Sequence, residues 1–172
     1  MSVHPRSTAT IGGHPIHPMI VPFPIALLVG TLICDLAFWR TLGEGWAVAA
    51  MWMLGAGILT ALLAAVFGFI DFLGSERIRA IRDAWLHMVG NLTAVVLSVI
   101  SFYMRYRYGA VAGVMPWGLA ISAIVFFLLL FNGWKGGELV FRHGVGVKHQ
   151  GEELVAPGDV RTYQSGRPTP AE

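Results

Sequence analysis

The run Gly45–Ile70, GWAVAAMWMLGAGILTALLAAVFGFI, decides the fold class. It holds 26 residues without a charge, bounded by Glu44 and Asp71. An α-helix needs about 20 apolar residues to cross a hydrocarbon layer of about 30 Å, so this run is long enough to span. It is continuously apolar rather than alternating, which argues against a strand of a membrane barrel. Working outward, three more such runs appear: about 19–39, 85–104 and 114–134, with the decisive one at 47–73. Between Arg107 and Lys135 lie 27 uncharged residues; between His87 and Arg105 lie 17, enough if His87 sits near the interface.

Composition agrees. Of 172 residues, 55% are hydrophobic and only 13% charged, with a mean hydropathy of +0.64. A soluble domain of this size needs about twice that charge to cover its surface. The net charge of +2 leaves no basic field for nucleic acid. The lone Cys34 excludes an intramolecular disulfide and the two-cysteine zinc and redox motifs. Inside an apolar run, it reads as a small buried hydrophobe.

Short connectors make consecutive helices antiparallel neighbours. The expected fold is therefore all-α: an integral membrane, up-down-up-down four-helix bundle over residues 11–148. Residues 1–10 are expected to be a flexible N-terminus, and 149–172 a largely disordered tail, being polar and rich in Pro and Gly. Small residues recur every four positions on the second helix, at Gly57, Ala61 and Ala65 and at Ala64 and Gly68, the pattern of closely approaching membrane helices. Alternation places Arg6, Arg77, Arg79, Arg82, Lys135, Arg142, Lys148, Arg161 and Arg167 on one side and Arg40, Arg105 and Arg107 on the other. The positive-inside rule then puts both termini in the cytoplasm, in a multi-pass protein of the inner membrane. Nothing in residues 1–10 reads as a cleavable signal peptide.

The histidines gather at one end of this bundle. His14 and His17 precede the first helix, His87 opens the third, and His143 follows the fourth. Asp71 closes the second helix on the same side. Three readings of this layer stand side by side. Imidazole is a common ligand of iron, copper and zinc, and bis-histidine ligation holds haem in helical bundles. On that reading, some of His14, His17, His87 and His143 hold a b-type haem or a transition metal. Asp71 is then an alternative metal ligand, and Asn91, one turn beyond His87, orients its ring. A second reading is structural: the histidines cap helices, and Asp71 pairs with Arg77, Arg79 or Arg82. A third is proton handling, since buried His and Asp groups form relays. Asp35 is an intramembrane carboxylate toward the opposite end. It is expected to pair with Arg40, Arg105 or Arg107, or else to accept protons.

The motifs of hydrolases, nucleotide-binding loops and zinc proteases are missing, so catalysis by the chain alone is not expected. Gly13-His14-Pro15-Ile16-His17-Pro18 with Val21-Pro22-Phe23-Pro24, then His87 with Asn91, then Gly133 to Val147 (GWKGGELVFRHGVGV) together resemble a bacterial family of membrane proteins, domain of unknown function 2231. The resemblance covers about residues 11–148 and implies four membrane helices. It brings no established activity. Some members are fused to Rieske-type iron–sulfur domains, which implies a redox association; this chain lacks the cysteines of such a domain. The family motifs fall on His14, His17, Asp71, His87, Asn91 and His143.

The leading expectation is a membrane redox subunit that relays electrons through a haem or metal on the histidine layer. It implies a lipid bilayer and redox proteins as partners, with self-association into a homo-oligomer left open. The alternatives are a cofactor-free accessory membrane protein and, third, a small proton-coupled transporter using Asp35. Against the third, no internal repeat with interrupted helices is visible.

Overall fold

The computed structural model describes residue 5 and residues 7–147. His4, Arg6, Lys148, His149 and the tail expected to be disordered lie outside the described residues.

The chain opens with a two-residue hairpin, β1 (Thr10–Ile11) against β2 (His14–Pro15), with Ile11 opposite His14. Its turn, Gly12-Gly13, has φ of +55° and +81°, a left-handed pair that only glycine adopts cheaply and that suits a tight hairpin. A short helix α1 (Ile16–Ile20) runs into α2 (Pro22–Thr41) through Val21, whose N–H bonds to the His17 carbonyl. The two form one apolar span, Ile16–Thr41. Pro18, Pro22 and Pro24 fit here because the first turn of a helix needs no backbone donor. His17, expected to precede the first helix, thus lies within a helix, α1.

Next come α3 (Glu44–Gly74), a four-residue connector helix α4 (Glu76–Arg79) and α5 (Arg82–Tyr108). After the Pro116 turn comes α6 (Trp117–Gly137), which continues as a widened π-helical turn, Glu138–Arg142. Four spans, Ile16–Thr41, Glu44–Gly74, Arg82–Tyr108 and Trp117–Arg142, are long and apolar enough to cross a membrane. The first three run past the apolar segments that reveal them at both ends and the fourth at its C-terminal end, because charged and aromatic residues there are helical too, while the fourth begins at Trp117, three residues later than expected. At 31 residues, α3 is about 46 Å long, well beyond the hydrocarbon thickness.

The helices pack as a ring: α2 against α3 and α6, and α5 against α3 and α6. Leu28, Leu54, Ala94 and Val125, one from each, meet in the centre. One end is closed by Phe38, Ala47 and Val114. At the histidine end, Phe72, Ile78 and Ala84 pack with Leu139 and Val145. Gly57 lets α2 lie close to α3: a Cβ there would stand 2.9 Å from Leu28 Cδ2. Large apolar side chains such as Trp52, Leu59 and Phe127 point outward. Helices apolar on all faces belong in lipid.

Residues 7–10, within the lead expected to be flexible, make defined contacts. Ser7, Thr8 and Ala9 are hydrogen-bonded to Asp71, and Thr10 is in the hairpin. The C-terminal segment returns to the same place, where the Gly146 N–H donates to the Pro5 carbonyl.

Candidate functional site

Two of the four candidate histidines come together. His17 from α1 and His87 from α5 face each other edge-on across the bundle, ring centres 6.4 Å apart and planes at 86°. Each ring is held by a backbone carbonyl of a third or fourth helix. His17 Nδ1 donates to the Ala64 carbonyl on α3 (2.8 Å), and His87 Nδ1 to the Asn132 carbonyl on α6 (3.0 Å). A carbonyl only accepts, so Nδ1 carries a proton in each ring, and in the neutral form Nε2 keeps the lone pair. Glycines make room for them. A Cβ on Gly68 would stand 3.0 Å from His17, and one on Gly136 would stand 3.1 Å from His87.

Next to the pair is an amide bridge between α5 and α6. Asn91 Nδ2 donates to the His87 carbonyl (2.8 Å), and Asn132 Nδ2 donates to Asn91 Oδ1 (3.3 Å). Asn91 therefore steadies the backbone of His87; the ring itself is oriented by Asn132. Asn132 Oδ1 is buried without a hydrogen-bond partner among the described residues and lies against Gly90, where a Cβ would be 2.1 Å away.

The other candidates sit elsewhere. His14 is on the exposed hairpin, its Nδ1 donating to the Gly12 carbonyl at 3.1 Å. His143 Nε2 is 3.4 Å from Asp83 Oδ2, and Asp83 Oδ1 also accepts from Lys135 Nζ at 2.8 Å. This set ties the start of α5 to the end of α6. Asp71 Oδ1 accepts from Ser7 Oγ (2.8 Å), from the Thr8 and Ala9 N–H groups (2.7 Å each) and from Thr8 Oγ1 (3.2 Å). Among the described residues, no three or more His, Cys, Asp or Glu side chains gather as a metal-binding set.

At the far end, Asp35 is paired with Arg105, one of the three arginines expected. Both side chains are fully buried. Arg105 donates Nη1 to Oδ1 (2.8 Å) and Nη2 to Oδ2 (2.7 Å), and Ser122 Oγ donates to Oδ2 (2.6 Å). Cys34, beside it, is buried against Met53, Sγ to Sδ 3.8 Å.

Asn132, Asp83 and Ser122 escape the sequence reading. A signal for Asn132 exists: an amide inside the run Phe126–Trp134 is costly in lipid unless partnered, and it stands one turn before Gly136.

Fold and site together define a multi-pass helical membrane protein with polar clusters at both ends of its interior. The chain belongs to the family described as predicted membrane protein (DUF2231), whose model matches residues 13–149. No curated protein and no solved structure matches it.

Proposed function

We propose that the protein is an electron-carrying subunit of the cytoplasmic membrane in which His17 and His87 would hold a b-type haem. The observation that carries this reading is the facing pair of imidazoles, each with Nδ1–H fixed on a backbone carbonyl and Nε2 left as the lone-pair nitrogen. A second hydrogen bond of this kind sets the tautomer and orientation of metal-bound histidines.

The spacing suits the role. A single metal held by two imidazoles at metal–nitrogen bonds of about 2.0 Å would allow ring centres up to about 6.4 Å apart, which the separation found here does not exceed. The donor set suits haem better than a bare ion. A structural zinc takes four protein ligands, whereas haem brings four nitrogens and asks for two. The group would supply one-electron transfer. The chain would hold it through His17 and His87 and steady His87 through the Asn132 carbonyl. His14, His143 and Asp71 are structural on this reading, and both termini are cytoplasmic.

The test is the absorption spectrum of the detergent-purified protein from haem-replete cells, oxidised and then dithionite-reduced. Sharp α and β bands on reduction, lost in His17→Ala and in His87→Ala but kept in His14→Ala and His143→Ala, are expected. A featureless spectrum overturns haem. Stoichiometric copper or another transition metal lost in the same two variants would move the pair to a bare-metal site. Neither haem nor metal would leave the cofactor-free accessory protein.

A further inference from the structure

Asp71 is read from sequence as a metal ligand or an arginine partner, yet its Oδ1 accepts four hydrogen bonds from three consecutive residues, Ser7, Thr8 and Ala9. Two of the four come from backbone N–H groups, so the carboxylate recognises the path of the chain and not only its side chains. Bonds to an ionised acceptor are about twice as strong as neutral ones. The Thr8 hydroxyl, with one proton to give, has the Ile70 carbonyl at 3.1 Å as its other acceptor. Thr8 is pressed onto the end of α3 at Gly74, where a Cβ would stand 2.6 Å from its Oγ1.

This anchor leads directly to His17. The Ala9 carbonyl accepts from Ile16 N–H (3.0 Å), closing the hairpin, and Ile16 begins α1. His17 then reaches Ala64 and Gly68 on α3. Ala64, Gly68 and Asp71 follow spacings of four and three, one face of one helix. A single stripe of α3 thus grips the N-terminal segment at Asp71 and receives the imidazole one to two turns earlier. The hairpin is the strut between the two points. α1 is only five residues long, and a helix so short has little stability of its own.

We infer that Asp71 is the positioning residue for His17: it fixes the N-terminal strut and so holds the imidazole over Ala64, without touching any group bound there. As a haem-ligand assignment for His17 this rests on the proposed function; the strut itself does not. Losing the anchor should free the hairpin and His17 while leaving His87 on Asn132.

Asp71→Leu removes every acceptor at nearly constant size, and Asp71→Asn keeps an Oδ1 that can accept the same N–H groups. Thr8→Pro removes one backbone donor from the other side and leaves α3 intact. Two readouts are made on the full chain in detergent. The first is hydrogen exchange at the Thr8, Ala9 and Ile16 amides together with the His17 Nδ1 proton resonance. In Asp71→Leu all three amides, and in Thr8→Pro those of Ala9 and Ile16, should exchange about tenfold faster or more and the imidazole proton should vanish, with Asp71→Asn close to wild type. The second is carbon monoxide binding to the reduced protein. If the haem is held by both histidines, wild type and Asp71→Asn should refuse it and Asp71→Leu, having released His17, should bind it. Unchanged exchange and an unchanged His17 proton in Asp71→Leu overturn the inference, whatever the spectrum. Haem-free wild type overturns the haem proposal alone, and the exchange and proton readouts still decide the strut. Carbon monoxide binding by wild type also overturns the two-ligand assignment. If Asp71→Leu fails to fold, Thr8→Pro decides by the same two readouts.

Discussion

Asp35 on α2 and Arg105 on α5 form a two-pronged ion pair across the bundle, with both side chains wholly buried and Ser122 from α6 donating to the same carboxylate. Removing one partner leaves a buried, uncompensated charge, which costs about 3–5 kcal/mol in folded proteins. Asp35→Leu and Arg105→Met should each lower stability by that order. The double variant should recover most of the loss, because two apolar groups of similar volume need no partner. Denaturant titration of the purified protein in detergent reads both. Losses that simply add in the double variant would mean that the pair does not stabilise as a unit.

Arg105 fits because two glycines make room for it. A Cβ on Gly113 would stand 2.7 Å from the Arg105 Cα, and one on Gly118 would stand 2.2 Å from the Gly113 carbonyl oxygen. Backbone cannot step aside as a side chain can, so Gly118→Ala should cost about 1–3 kcal/mol. Gly133, in the same helix, has open space where its Cβ would be. Gly133→Ala should be neutral or stabilising by up to about 1 kcal/mol, since glycine weakens a helix interior. Equal melting shifts for the two would remove the packing argument.

The spans are legible in sequence because lipid imposes one rule on every residue of a run. The ion pair is only half legible. A buried carboxylate demands a cation, but the choice of Arg105 over Arg40 and Arg107 depends on which face of α5 turns inward. Asp71 misleads for a related reason: its partners are backbone N–H groups of Thr8 and Ala9, which leave no trace in residue identity. The histidine layer is legible as a layer. That it divides into a facing pair, His17 with His87, and two outliers depends on the hairpin and on the π-helical turn after Gly137, local shapes that apolar patterning does not encode.

The outliers supply a contrast. His14 is exposed, and its ring bonds to the nearby Gly12 carbonyl. His143 shares Asp83 with Lys135, and all three side chains are partly exposed. Exposed pairs contribute about 0–1 kcal/mol. His14→Ala should shift stability by no more than about 0.5 kcal/mol, and His143→Ala by less than about 1 kcal/mol. Lys135→Met should cost more than His143→Ala, because Lys135 makes the shorter contact, 2.8 Å against 3.4 Å. Thermal unfolding of the three variants ranks them. A His143→Ala loss as large as that of Arg105→Met would show that His143 has a role this geometry does not give it.

The contact between Gly90 and Asn132 offers a sharper test of how the two ends of α5 and α6 are held. Asn132 is 2% exposed, its carbonyl holds His87 Nδ1, and its own Oδ1 occupies the space where a Gly90 side chain would be. Gly90→Ala therefore has to push the amide away and move α6 from α5 at the level of His87. A cost of about 1–3 kcal/mol is expected, with weakening of the His87 to Asn132 bond. Asn132→Ala removes the obstructing amide but leaves the backbone carbonyl in place. The clash should then vanish in Gly90→Ala with Asn132→Ala, so the double variant should be more stable than the sum of the two losses predicts. Hydrogen exchange at the His87 imidazole, read by NMR, reports the same restoration. A double variant whose loss equals that sum would mean that Gly90 and Asn132 do not compete for one space. The glycine at 90 would then have to be explained by the backbone of α5 alone.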